Sequence, residues 1–333
     1  MMWARRAGWE DHSVEDDPPA ALLEEAGLVV IPGGLPAGRA GMWLVDWNGT
    51  LGVLRRLDPD PGWAAGADLA ADTAWVHGFL GRLAGRGFPA PRPLPAFGQR
   101  SWVVTGPALW QIVSFVPGQA VGGAGRPPME AIGALLARYH AAACHVPVPS
   151  QRPVTLPLAL VPAVLAAWEA ATWEADDHRR LVRLLAAELA ADLDAIGHRR
   201  WPRLVIHGDF TNHNVIAAGW PARPCGVIDF ALAHLESPLA DIGYGLWRSG
   251  RPYDQATWLD VSRVRSFVRG YASVRPLSGD DAAAIGVFVR GRGLQRLAKR
   301  VRTRHPDQGT LTQVQWLSAH RQLIADALVG ALP

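Results

Sequence analysis

The stretch Leu204-Val-Ile-His-Gly-Asp-Phe-Thr-Asn-His-Asn-Val215 decides how the rest of the chain is read. Three apolar residues feed directly into a polar loop, as a short buried strand does when it delivers chemical groups to a surface. Asp209 stands two positions after His207 and five before Asn214. Fifteen residues beyond Asn214, a second apolar run, Gly226-Val-Ile228, delivers Asp229 and then Phe230. A carboxylate on such a loop can hold a hydroxyl group and accept its proton. Amide and carboxylate oxygens are also the hard ligands that Mg²⁺ takes. Further on, Ser237-Pro-Leu-Ala-Asp241 opens a helical segment.

Outward from this centre the chain divides in texture. Toward the N-terminus, a short helix over Pro19 to Ala26 is followed by β-like runs at Leu28 to Ile31, Met42 to Asp46 and Leu51 to Leu57. Asn48-Gly49 between the last two is a strong hairpin signal. A helix fits Asp68 to Gly85 with Asp68 as N-cap, and strands are expected at Ser101 to Thr105 and Leu109 to Val116. After Gly118 helices dominate. Met129 to Ala143 places Ile132, Leu135, Leu136 and Tyr139 on one face, Trp168 to Ile196 carries one long helix or a pair, and helical periodicity returns at least three times after Trp258. The expectation is an α+β chain of two lobes. Residues 1–19 form an extension, 20–117 a β-rich lobe and 118–333 an α-rich lobe.

Composition narrows the partners. The 333 residues are 49% hydrophobic and 19% charged, with a formal net charge of only +3, an ordinary globular balance. No dense Lys/Arg run suggests nucleic acid. The most apolar stretch, Val154 to Trp168, contains two prolines and is too short to span a membrane. Cys144 and Cys225 are too far apart for a metal-ligand spacing, and no signal-peptide pattern opens the chain. These features predict a soluble, cytoplasmic protein. Lys299 is the only lysine, so any chemistry requiring lysine in the first half is excluded.

The spacing His207, Asp209, Asn214 is that of a kinase catalytic loop, H-x-D-x-x-x-x-N, and Asp229-Phe230 follows as the second metal-site element of kinases does. With His207-Gly208-Asp209, Asn214, Asp229-Phe230 and Pro238 to Asp241 in this order, the chain resembles the aminoglycoside-phosphotransferase-like enzymes, relatives of choline and homoserine kinases. Phe115-Val-Pro-Gly118 looks like the family's lobe-linking segment, and Leu135 to His140 like its first large-lobe helix. The resemblance implies a bilobal, protein-kinase-like fold with a nucleotide-binding N-terminal lobe. It also implies a phosphotransferase that uses Mg²⁺ and ATP or GTP to phosphorylate a small hydroxylated substrate. Asp209 is then the catalytic base, Asn214 and Asp229 the metal ligands, and the backbone from Val113 through Phe115 to Val116 the adenine-facing segment.

Two first-lobe features depart from that pattern. The strand position that carries a phosphate-binding lysine in kinases falls on Arg55, which binds phosphate with a longer, forked cation. The following helix has no glutamate; Asp72 is its one acid past the cap, and a compensating Arg55–Asp72 pair is one expectation. Gly33, Gly34, Gly38 and Gly41 only approximate a glycine-rich phosphate loop. These departures leave a ligand-binding, non-catalytic protein of the same fold as the alternative. Among the remaining candidates, His207 reads as a structural hydrogen-bonder, His140 as a packed helix residue, and Asp241 as a helix N-cap or loop organiser. Asn212 and His213 are either phosphate contacts or solvated loop residues.

Overall fold

A computed structural model describes residues 17–33, 35, 41–58, 68–121, 128–147, 161–171, 175–197, 201–251, 259–303 and 308–332. Most of the N-terminal extension, Gly34 and Gly38 of the approximate glycine loop, and much of the apolar stretch before Trp168 lie outside these residues. The chain separates into two compact units. One comprises residues 1–60, 68–77 and 91–115; the other comprises 61–67, 78–90 and 116–333.

The first unit is built on a five-stranded antiparallel sheet. Its strands are β1 (Leu28–Val30), β2 (Met42–Trp47), β3 (Thr50–Leu57), β4 (Trp102–Thr105) and β5 (Ala108–Ser114), in the spatial order β1-β2-β3-β5-β4. Asn48 and Gly49 join β2 to β3 with positive φ angles of 51° and 77°, the geometry of a two-residue hairpin turn whose twist matches the strands. Trp47 and Thr50 are paired across it. Helix α1 (Ala20–Ala26) sends Leu22 and Ala26 into a core with Leu28, Val45, Leu54, Trp110 and Ile112. Because strand side chains alternate, Leu54 points into this core while Val53 and Arg55 take the opposite face, level with Val113 and Gln111 of β5. Helix α2 (Leu69–Ala84) begins as its sequence predicts, with Asp68 Oδ1 accepting the Ala70 and Ala71 N–H groups at 2.9 and 3.1 Å. Its first half belongs to this unit.

The second unit is mostly helical. Its helices are α3 (Met129–Ala143), α4 (Val161–Ala170), α5 (Asp176–Ala195), α6 (Pro238–Ser249), α7 (Val261–Ala272), α8 (Gly279–Thr303), α9 (Gln308–Ala319) and α10 (Arg321–Val329). Five short strands carry its loops: β6 (Gln119–Ala120), β7 (Leu204–Ile206), β8 (Val215–Ala218), β9 (Arg223–Val227) and β10 (His234–Glu236). β7 pairs with β10, and β6-β8-β9 form a second small sheet. The helical face expected on α3 is buried through Ile132, Leu135, Leu136 and Tyr139. No helix among the described residues is long and apolar enough to cross a membrane.

α3 and α7 pack together because each offers a glycine at the crossing. A Cβ on Gly133 would lie 2.0 Å from the Phe267 carbonyl oxygen, and one on Gly270 would lie 1.8 Å from that of Glu130. Neither helix can approach so closely with any side chain there. Gly270→Ala is therefore expected to destabilise the protein by about 1–3 kcal/mol, the usual cost of overpacking. Urea unfolding followed by circular dichroism checks it; an unchanged midpoint would mean the helices separate freely.

Candidate active site

β7 ends at Ile206, and the chain turns sharply through Gly208 at φ 75°. A Cβ there would sit 2.3 Å from the Leu232 carbonyl oxygen, so the turn admits glycine alone. The loop is gripped from below by Asp241, a fully buried carboxylate in the first turn of α6. Its Oδ2 accepts the His207 N–H at 2.8 Å, and its Oδ1 accepts the Gly208 N–H at 3.0 Å. Asp241 is thus the loop organiser of the two roles expected for it. The α6 N-cap is Ser237, whose Oγ accepts the Leu239 N–H at 3.2 Å.

Behind Asp241 stands His140 of α3, also fully buried, with Nε2 at 3.1 Å from Oδ2 and Nδ1 at 2.9 Å from the Tyr271 hydroxyl. Burial holds His140 below the usual histidine range, against the opposing pull of Asp241. A neutral ring that donates from Nε2 and accepts the Tyr271 O–H at Nδ1 satisfies every partner. Burial alone would raise the Asp241 carboxyl, but the His140 hydrogen bond, the electrostatic pull of the His140 and His207 side chains and the His207 N–H outweigh it and hold it low.

His207 is fully buried and has both ring nitrogens occupied. Nε2 donates to the Ile228 carbonyl at 3.0 Å, and Nδ1 accepts the Asp209 N–H at 3.2 Å. Its ring packs on Phe230 with centroids 4.7 Å apart. The side chain therefore ties the loop to the end of β9, as expected of a structural hydrogen-bonder.

Asp209 is half-buried, and both of its carboxylate oxygens are engaged. Asn214 Nδ2 donates to Oδ2 at 3.0 Å and to the Asp209 carbonyl at 2.9 Å. Arg292 of α8 donates from Nη2 to Oδ1 at 2.7 Å. The guanidinium also lies 5.1 Å above the Tyr244 ring and donates to Gln295 Oε1 at 3.2 Å, while Gln295 Nε2 donates to the Tyr244 hydroxyl at 3.2 Å. Sequence reasoning missed Arg292, since nothing local marks a residue whose partner stands 83 positions earlier.

Asn214 and Asp229 are brought together by backbone pairing. Val215 of β8 faces Val227 of β9, and the Ile228 N–H reaches the Asn214 carbonyl at 2.8 Å. Asp229 follows at φ 63° and ψ 69°, a left-handed conformation that costs a non-glycine residue and that clusters at functional sites. Asn212 is buried and accepts the Ser249 hydroxyl at 2.7 Å, whereas His213 is exposed and lies 3.3 Å from Arg248 Nη2. Among the described residues no group of three or more His, Cys, Asp and Glu side chains forms a metal cluster.

In the first unit, Arg55 is half-buried on β3, paired in register with Met42 and Gln111, and Val113 is paired with Val53. The Phe115 N–H reaches the Leu51 carbonyl at 2.8 Å. Val116 belongs to the second unit, where its Cγ1 fills the space beside Gly226. The buried polar residue that α2 sends to β5 is His77, another residue sequence reasoning passed over. Its Nε2 lies 2.8 Å from Gln111 Oε1 and its Nδ1 2.6 Å from Ser101 Oγ. Burial drives the His77 pKa down to about 4, opposed by the Gln111 hydrogen bond.

The profile of the phosphotransferase enzyme family matches residues 39–277. A homoserine kinase of Mesorhizobium japonicum is 30% identical over 238 residues, covering 69% of each chain. Among solved structures, a microcompartment-associated aminopropanol kinase superposes with a TM-score of 0.62 at 19% identity, covering 91% of this chain and 93% of that one. An amicoumacin kinase in complex with AMP-PNP and Ca²⁺ superposes with a TM-score of 0.58 at 15% identity, covering 91% and 88%. The two structural matches establish the kinase-like α+β fold expected from the sequence. The chain belongs to the phosphotransferase enzyme family. Its class is that of the small-molecule kinases that act on an alcohol.

Acid should undo the buried clamp in a defined order. His140 titrates lower in the folded chain than when unfolded, so the unfolded chain takes up its proton first as pH falls below about 6.5. Asp241 adds its loss below about pH 4, again because the folded value is the lower one. Both contributions are full at neutral pH and vanish in acid. His140→Gln is expected to be less stable at pH 7 and to flatten the decline between pH 6.5 and 4.5, read from urea midpoints across that range. A wild-type midpoint that stays level over it would refute the neutral-histidine assignment.

Proposed function

We propose that this phosphotransferase moves the γ-phosphoryl group of a Mg²⁺-bound nucleoside triphosphate to the hydroxyl of a small molecule, with Asp209 as proton acceptor and Asn214 and Asp229 as metal ligands. The observation that carries this reading is the state of the Asn214 amide. Its Nδ2 is committed to Asp209, which leaves Oδ1 as a ligand oxygen beside a strand end that also delivers the Asp229 carboxylate. A neutral oxygen and a carboxylate, completed by phosphate oxygens and water, suit an octahedral hard cation. Magnesium, when bound, neutralises and orients the phosphate oxygens.

The chain's own residues do the rest. Asp209 holds the acceptor hydroxyl in line and takes its proton, as the hydroxyl oxygen bonds to the γ-phosphorus and the bridge to the β-phosphate breaks. The grip of Asp241 on the two N–H groups ahead of Asp209 fixes the carboxylate's position, and most of the rate comes from such positioning. Arg55 is the phosphate-binding cation of the first unit in this reading, and the backbone from Val113 through Phe115 to Val116 is the adenine-facing segment. The AMP-PNP and Ca²⁺ in the amicoumacin kinase complex support a nucleotide as co-substrate and a divalent cation as cofactor. A kinase fed by nucleoside triphosphate belongs in the cytoplasm. Kinship with homoserine, aminopropanol and amicoumacin kinases gives the non-catalytic alternative no support.

Two substitutions test the assignment. Asp209→Asn should lower kcat by ~10²–10⁴ with little change in nucleotide affinity; near-normal turnover would move the base elsewhere. Asp229→Asn should remove the Mg²⁺-dependent part of nucleotide affinity, measured by calorimetry with and without the metal. If magnesium strengthens nucleotide binding equally in wild type and variant, Asp229 is not a ligand.

A further inference from the structure

We infer that Arg292 reads an anionic group on the acceptor, so that the preferred substrates are short alcohols carrying a carboxylate rather than neutral or cationic ones. The inference rests on Asp209 as the proton acceptor and adds the substrate class to it. A hydroxyl must approach Asp209 to about 2.7 Å to hand over its proton. Arg292 Nη2 lies 2.7 Å from Oδ1 of the same carboxylate, so the guanidinium stands at most about 5.4 Å from a hydroxyl bound at Oδ1, and on the order of 7 Å from one bound at Oδ2. A group two or three carbons from that hydroxyl meets it.

The guanidinium is built to receive such a group. Of the five N–H donors that arginine carries, two make the bonds to Asp209 and Gln295, so three are left for a ligand. The plane is fixed by the Tyr244 ring beneath it and by the Gln295 bridge to the Tyr244 hydroxyl. Burial, with Glu236 adding to it, raises the Tyr244 hydroxyl above its ordinary range, so the hydroxyl stays protonated. A pre-oriented fork of this kind matches a carboxylate in two-point contact. The side chain is only 12% exposed, which concentrates its charge on what enters beside Asp209.

Among the described residues, α6 and α8 place no uncommitted acid near Arg292 to receive a cationic acceptor. The single acid of α6 is Asp241, already committed to His207, Gly208 and His140. α8 has no acid after Asp281, whereas Arg290, paired with Asp192 of α5, and then Arg292 and Arg296 follow on it. Arg248 sits against His213 of the catalytic loop itself. An ammonium group brought to Asp209 finds that carboxylate already paired with Arg292, and a carboxylate meets a fork.

Three probes of one chain length separate the possibilities: 4-hydroxybutyrate, 1,4-butanediol and 4-amino-1-butanol. Their affinities for the full-length protein are measured by calorimetry with Mg²⁺ and AMP-PNP present, and their phosphorylation with Mg²⁺ and ATP. The hydroxy acid should bind about 10–100-fold more tightly than the diol, as a charge-assisted hydrogen bond allows, and the amino alcohol should bind least. Arg292→Gln should bring the hydroxy acid to within about twofold of the diol, and Arg292→Lys should fall between. Equal wild-type affinities, or a preference for the amine, overturn the inference. So does an Arg292→Gln variant that weakens all three probes alike, because the arginine then only positions Asp209. Should that variant fail to fold, the wild-type series decides alone. An Arg292-dependent hydroxy-acid preference without phosphorylation of any probe leaves the anion site standing and removes the phosphotransfer role of Asp209.

Discussion

The second unit depends on one buried charge. Asp241 carries a full carboxylate where the side chain has no access to solvent, a costly placement unless both oxygens are hydrogen-bonded. They are: two backbone N–H groups and the His140 ring converge on them. Each partner belongs to a different part of the fold, the loop after β7 in one case and the last turn of α3 in the other. Tyr271 on α7 closes the chain of bonds behind His140. The glycine crossing of α3 and α7 is what brings that tyrosine close enough, since a side chain at Gly133 or Gly270 would push the helices apart. The position of Asp209 is therefore set by helix packing well beneath it.

Much of this was legible in the sequence, and for identifiable reasons. The helix over Met129 to Ala143 and the hairpin at Asn48-Gly49 are local signals, one of periodicity and one of turn chemistry, and both appear where expected. The loop from His207 to Asn214 and the strand before Asp229 were read from spacing, and the structure brings Asn214 onto Asp209 and ties it by backbone to Ile228. β6, β8 and β10 escaped because they are two to four residues long and form only by pairing with distant segments. Such strands carry too few residues for period-two alternation to stand out. Arg292 escaped for a related reason: its meaning lies in a contact across 83 residues, and arginines are common in this chain.

The first unit shows how a fold can keep its arrangement while changing its polar residues. β3 bears an arginine at the position read as the phosphate-binding lysine, and α2 has no glutamate. What α2 sends onto the sheet is His77, hydrogen-bonded to Gln111, and Gln111 is the register partner of Arg55. Burial keeps this imidazole neutral, so it orders β5 and β4 through Gln111 and Ser101 without adding a charge beside the arginine. A buried neutral donor–acceptor pair avoids the desolvation penalty that a buried carboxylate would bring.

The division of labour between shared and individual chemistry follows the same logic along the chain. The family match ends at residue 277, before α8 begins at Gly279. The proposed proton acceptor and metal ligands all fall inside the matched region, where the requirements of phosphoryl transfer are the same whatever the acceptor. Arg292 falls outside it, on a helix packed against α6. Phosphoryl transfer needs no particular charge on the acceptor away from its hydroxyl, so a helix proposed to meet the rest of that molecule is free to vary. A rigid loop clamped from below by Asp241 can then present the same carboxylate to different acceptors, and in the proposal made for this chain it is Arg292 on α8 that selects among them.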